Sequence, residues 1–427
     1  MQKYSALPLG EKLKQLRNAK GLSQENLAKA VNSSESTISR IEQGQTECSM
    51  ELLEAIKKYM GIDKAPLLKH ELIVYEDKVW ILNDYANSNR TADARTMQKT
   101  MFPIEELPFE HDLTMLYSMV ETRLLFQEGN VTAGEEQLKA VETGLEEASV
   151  EVNQLYHRNC GFLFGTRGDI KTALMHSLKA LNYISEALKP PPALYYNIGG
   201  LYAELSRPFH AIKYLERAEI EFNQERTNTI GPLTGHLLGV CYMHVRELDK
   251  AKERFDITLA HARSINNELA IGSVLQALGS LSAYANNFKD GLIYSEQALT
   301  YLPQHTPHYL YALANKATLL MKMKSFTEFQ EVVEAGRLLA KGNEGFTVLF
   351  ESIWHTMSLK NSESSNYIEN VTIPYFKGST GSLKYAALDY CDILEAHYKK
   401  NGSQKKALAI AAITRDIYKE MMFGTSD

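Results

Sequence analysis

The sequence predicts an all-α fold, in which two short helices meeting at a sharp turn precede a long array of helical hairpins. Three observations carry this. Tracts of Ala, Leu, Glu and Lys with few β-branched runs and only 12 Pro in 427 residues favour helix over sheet. The stretch SQENLAKAVNSSESTISRIEQG, residues 23–44, places its apolar residues on one face of each of two helices. Farther along, Gly161, Gly199, Gly239 and Gly279 recur at intervals of 38, 40 and 40 residues. A chain of this length exceeds one hydrophobic core and implies several units or a repeat array.

The opening MQKYSALPLGEKLKQL is broken by Pro8 and Gly10 and then becomes charged, which does not fit a signal peptide. No later stretch approaches the ~18 uninterrupted apolar residues of a membrane span. A cytoplasmic, soluble protein is expected. Cys48, Cys160, Cys241 and Cys391 lie far apart, without CxxC spacing or paired histidines. Reduced, mostly buried thiols are therefore expected, with no zinc, no disulfide framework and no cofactor. Residues 1–66 hold 10 Lys/Arg and 8 Asp/Glu, while the remainder is acidic, so the first segment is the only one with a positive balance. That asymmetry is compatible with nucleic acid at one end and a different ligand at the other.

In the opening segment Leu27, Ala28, Val31, Ile38 and Ile41 are the apolar positions. Ser23 caps a first helix running to Val31, and Ser33 or Ser34 caps a second running to Gln43, which Gly44 ends. Ala28 is small where steeply crossing helices nearly touch, and Asn32 supplies the left-handed residue of the turn.

This spacing resembles the helix-turn-helix of the Cro and phage-repressor family over about residues 9–62. Leu9, Leu13 and Leu16 match the family's first helix, and SMELLEAIKKYMGI its fourth and fifth segments through Leu52, Leu53, Ile56 and Met60. Asn32 stands where that family usually has Gly. The resemblance implies that the second helix enters the major groove, with Ser34, Glu35, Ser36, Ser39 and Arg40 facing DNA and Gln24 bracing a phosphate. Arg17 and Glu42 match an ion pair within the module. From Ser34 to Gln43 there is one Arg against two Glu, so counterion release contributes little and useful affinity requires two modules on two half-sites.

Aligning the four glycines also aligns Ala173, Ala211, Ala251 and Gly291 twelve positions later, with Phe164, Tyr202 and Tyr242 three positions after the first Gly in three copies. Small residues at both places let antiparallel helices approach closely, and the aromatic fills the space beside them. The pattern resembles the tetratricopeptide repeat, with fainter copies at residues 116–134, 312–329 and 393–409 and helical pairs near 70–102 and 346–377. About nine units are expected. The resemblance implies a right-handed superhelix whose first helices line a concave, peptide-holding groove. Two positions before the aligned glycine, with Ala317 in its place in a fainter copy, stand Asn159, Asn197 and Asn315, whose amides can pair with a peptide backbone. One position earlier stand Arg158, Tyr196, His236 and Gln276, and Arg123 points the same way from an earlier copy. Leu237 and Ala277 interrupt the Asn series.

No HExxH, GxSxG, P-loop or GxGxxG motif appears, and His305 and His308 lack acidic neighbours in sequence. An enzyme is not expected. A Cro-like module fused to a tetratricopeptide array resembles the peptide-responsive quorum-sensing regulators of Gram-positive bacteria, the group named for Rgg, Rap, NprR, PlcR and PrgX, and within it the NprR branch most. The resemblance implies residues 1–66 as the DNA-binding domain, 67–110 as linker and first helical pair, and 111–427 as the peptide-binding and oligomerisation region. It implies a cytoplasmic homo-oligomer on a double-stranded operator, controlled by a short imported peptide, with a sporulation phosphorelay response regulator as a further partner. Phosphatase activity does not carry over, because the DNA module stands where Rap proteins have another helical bundle. A phage lysogeny receptor and a constitutive adaptor share this architecture and stay open.

Overall fold

The computed structural model describes residues 7–88, 90–107, 109–183, 190–225 and 231–423, and the described residues contain helices and no strand. They divide into two compact units, Met1–Pro190 and Pro191–Asp427.

The first unit opens with α1 (Leu9–Ala19), α2 (Gln24–Ala30), α3 (Glu35–Glu42) and α4 (Met50–Met60). Serines start three of these helices, because each Oγ accepts from an orphan N–H of the first turn: Ser23 from Asn26 at 3.0 Å, Ser34 from Thr37 at 3.1 Å and Ser49 from Leu52 at 3.3 Å. Ser34, not Ser33, is thus the cap of α3. The turn between α2 and α3 passes through Asn32 at φ 51°, and α3 ends ahead of Gly44 at φ 68°. Leu13, Leu16, Leu27, Ala28, Ile38, Ile41, Leu53 and Ile56 form the buried centre of the module. SMELLEAIKKYMGI forms a single helix, α4, rather than the two segments expected. Gly61 ends it at φ 69°, where Gly61 N–H donates to Lys58 O and Ile62 N–H to Lys57 O.

The chain continues through α5 (Lys69–Asn87), α6 (Thr91–Gln98), a 3₁₀ turn (Ile104–Glu106), α7 (His111–Gln127), α8 (Val131–Glu142), α9 (Val150–Thr166) and α10 (Ile170–Asn182). One continuous core runs from Leu13 to Leu163, including Ala65, Leu67, Leu72 and Phe109.

The second unit stacks further pairs: α11 (Pro192–Glu204) with α12 (Pro208–Glu225), α13 (Gly231–His244) with α14 (Leu248–Ser264), α15 (Glu268–Tyr284) with α16 (Phe288–Tyr301), and α17 (Pro307–Met323) with α18 (Phe326–Leu339). It ends with α19 (Glu344–Met357), α20 (Ser362–Tyr367), a π-helical stretch (Ile368–Thr372), α21 (Ile373–Gly378), α22 (Gly381–Lys400) and α23 (Gln404–Phe423).

The aligned glycines mark where each pair crosses. A Cβ on Gly199 would lie 2.6 Å from Leu215, on Gly239 2.5 Å from Phe255, and on Gly279 2.6 Å from Ser295. Each opposing residue lies sixteen positions on, in the second helix. The aromatic positions pack beside these crossings: Phe164 stacks on His176, and Tyr202 on His210 and Tyr214. Seven positions after each glycine the turn requires a left-handed residue, supplied by Gly168, Ser206, Arg246 and Asn286.

Candidate DNA-binding face and ligand pockets

α3 presents Glu35, Ser36 and Arg40 to solvent, with Ser39 half-buried. Ser34 is exposed too, but its oxygen is occupied as the cap and by bonds to Ser36 Oγ at 2.9 Å and Thr37 Oγ1 at 2.7 Å. The helix is held by buried charges. Arg17 Nε and Nη2 donate to the two Glu42 carboxylate oxygens at 2.6 and 2.9 Å, and Arg17 Nη1 to Leu22 O at 2.6 Å. The Glu42 hydrogen bond raises the Arg17 pKa above its ordinary value. Gln24 Nε2 joins this network, donating to Glu42 Oε2 at 2.7 Å, so its amide braces α3 from within. Gln43, whose amide donates to Ser39 Oγ at 3.2 Å, extends the polar face beyond the expected residues.

The expected peptide residues fall on both units. In the first, Asn159 is 3% exposed and donates to Met119 O at 2.8 Å, which ties α9 to α7. Its amide serves helix packing rather than an open surface. Arg123 and Arg158 are of a different kind. The Arg123 guanidinium lies over Phe162 at 4.7 Å, its buried Nε without a partner among the described residues, and Arg158 donates to Asn87 Oδ1 at 2.8 Å. Neither has an ion pair among the described residues. Burial lowers the pKa of Arg123, and burial together with neighbouring Arg123 pulls Arg158 down to about 9.

In the second unit Asn197 is exposed and Tyr196 half-buried. His236, Gln276 and Asn315 come together on a cavity of about 560 Å³ walled by α13, α15, α17, α19 and α22. Asn315 Nδ2 donates to Gln276 O and Ser280 Oγ at 3.2 and 2.7 Å, so it bridges α17 and α15 at the cavity wall. The apolar lining comes from Val240, Ala277, Phe288, Leu349 and Ile353 among others. Sequence reasoning did not find Tyr284, Asp389 and Asp392, which line the same cavity. They come together only because α22 packs beside α13 and α15: Tyr284 donates to Asp389 Oδ2 at 2.8 Å, and Arg246 reaches Oδ1 at 3.3 Å. Burial drives the histidines toward neutrality, His236 to about 4 and His244 to about 3. His308 lies on α17 and lines the cavity.

All four cysteines are free. Among the described residues no three His, Cys, Asp or Glu side chains are placed to hold a metal, and no helix is long and apolar enough to cross a membrane.

Residues 8–68 match the family model described as a helix-turn-helix domain. The transcriptional activator NprA of Geobacillus stearothermophilus is 20% identical over 408 residues, spanning 91% of this chain and 98% of that protein. In fold the chain is similar to solved structures of the quorum sensor NprR. The apo form of the quorum sensor NprR from B. thuringiensis superposes with a TM-score of 0.62 at 18% identity, over 80% of this chain and 98% of that one. NprR in complex with its cognate peptide NprX gives 0.58, also at 18% identity, over 82% and 98%. These likenesses bear out the fold class, a helix-turn-helix followed by a tetratricopeptide-like helical superhelix.

Proposed function

We propose that this chain is a transcription regulator that binds a two-fold operator through α3 as a homodimer or higher oligomer, and that a short anionic peptide controls this binding. The observation that carries the ligand reading is the Arg123–Arg158 pair. Two guanidinium groups repel each other at low local dielectric, and among the described residues neither has an ion pair to offset this. A fold keeps such a pair where an anion completes it, and a carboxylate forms charge-assisted, bidentate bonds with arginine. The NprR structure with its peptide NprX supports a peptide as the carrier of that carboxylate. The second unit's cavity of about 560 Å³ has the size and mostly apolar lining of a small-ligand site, with His236, Gln276 and Asn315 as its polar points. On this reading Tyr196 and Asn197 contribute as exposed or half-exposed contacts on α11.

Two titrations test the proposal. For DNA, operator fragments selected from random duplexes are bound in a salt-controlled gel shift. Arg40→Ala with Ser36→Ala should weaken binding about tenfold or more without lowering the melting temperature, since each base or phosphate contact contributes ~1–3 kcal/mol. For the ligand, calorimetry compares pools of five- to ten-residue peptides with free and with amidated carboxylates. Anionic peptides should bind, and Arg123→Ala should reduce their affinity about tenfold or more, in line with ~1.5–3 kcal/mol for a charge-assisted bond. Equal binding of the amidated pool would overturn the assignment of the arginines.

A further inference from the structure

The DNA-binding module is not joined to the repeats by a tether. Residues 65–67, which leave it, are buried. Lys12 on α1 points into that junction: its Nζ lies 2.8 Å from Glu110 Oε1 and 3.4 Å from Leu67 O, and 5.2 Å from the centre of the Phe109 ring. The two charged side chains are 5% and 1% exposed. A second buried lysine, Lys57 on α4, pairs with Glu71 at 3.1 Å. Glu71 in turn accepts from Leu67 N–H at 2.9 Å and Leu68 N–H at 3.0 Å at the start of α5. Removing an ion pair from water offsets most of its Coulomb gain, so such pairs add little net stability. What they do is penalise every arrangement in which one partner is buried alone.

We propose that Lys12 and Glu110 form a latch that fixes the DNA-binding module on the first repeats, so that α3 turns as one body with α7. Glu110 immediately precedes α7, whose later turns carry Arg123, thirteen residues or ~20 Å of helix away. One rigid element thus has the latch at its start and the arginine site farther along. A shift of α7 at Arg123 reorients the recognition helix directly; this consequence, unlike the latch itself, rests on the proposed ligand reading.

The latch is tested on the full chain without DNA or peptide. Nitroxide labels at Lys29→Cys and Glu136→Cys, both exposed positions, are introduced with the half-exposed Cys48 changed to Ser. Double electron–electron resonance then reads the distance distribution. The parent should give one narrow distance. Lys12→Met, which removes the buried ion pair with Glu110, should broaden the distribution at least twofold, and the charge-swapped pair Lys12→Glu with Glu110→Lys should narrow it again. Lys12→Met with Glu110→Met keeps the junction filled without charge, and it should fold yet stay broader than the parent. A broad parent distribution, or the same narrow distance in all four proteins, overturns the latch. Neither result touches the peptide titration, so the two readings fail separately.

Discussion

Single side chains in this molecule divide sharply between charge that is matched and charge that is withheld. Arg17 and Glu42 are matched, and Gln24 completes them. The buried histidines are withheld. His157 is held down to about 4, chiefly by burial and then by His176, whose Nδ1 lies 2.9 Å from its own. His236 and His244 are lowered by burial too, and the His244 ring lies flat on Tyr385 with centroids 3.5 Å apart. Since the folded pKa values fall below the unfolded value near 6.5, the unfolded chain binds more protons in acid. The stability tied to neutral histidine is fully present above pH 6.5. It is lost as pH falls below that value, by about 1.4 kcal/mol per pH unit for each histidine until its folded pKa is reached. His244→Phe keeps the stack on Tyr385, and among the described residues Nε2 has no hydrogen-bond partner to lose. Thermal melts from pH 7.5 to 4.5 should therefore show a shallower acid decline for His244→Phe than for the parent. Parallel declines would mean that His244 titrates normally.

Among the helices, the glycine register decides the packing. At Gly239, Ala is favoured by helix propensity by ~1 kcal/mol, yet its Cβ would press on the Phe255 ring. Overpacking costs ~1–3 kcal/mol, so the clash should win. Gly239→Ala should lower the denaturation midpoint, and adding Phe255→Leu should recover part of the loss. If Gly239→Ala alone stabilised the protein, the crossing would be looser than described. This register was legible in the sequence because Gly and Ala recur at fixed spacing, and the serine caps and Asn32 were legible because their chemistry is local. The left-handed turn seven residues after each glycine was not, since Ser206 and Arg246 fill a place that composition assigns to Gly. The same limit applies to sites. His236, Gln276 and Asn315 followed from the repeat frame, whereas Asp389 and Asp392 meet that cavity through α22, more than 60 residues on from the nearest of them, and Lys12 meets Glu110 across 98 residues. No local pattern encodes such pairs. Asn159 fitted the frame and still turned inward, because the frame fixes a position on the helix and not what packs over it.

For the whole molecule, the charge on the proposed DNA face sets what the operator must look like. Of the charged residues between Ser34 and Gln43, Glu42 is consumed by Arg17, which leaves Glu35 and Arg40 exposed. One module therefore neutralises few phosphates and gains little from counterion release. Two modules on one duplex multiply the small term, and a closed two-fold pair requires half-sites related by the same symmetry. Selected operators should be two-fold sequences with half-site centres one helical turn, ~34–36 Å, or a multiple of it apart. A duplex carrying one half-site should bind at least a hundredfold more weakly than the full operator. The dependence of log K on log salt should also be shallow, with a slope of about −2 to −4, against the far steeper values of proteins that make many phosphate contacts. Fragments ending near residue 66 are a poor control, because they remove both Leu67 and Glu110 and so take away the buried junction around Lys12. The half-site comparison on the intact chain avoids this. Equal affinity for half and full sites, together with a steep salt slope, would mean that one module suffices and that α3 is not the main source of the contact.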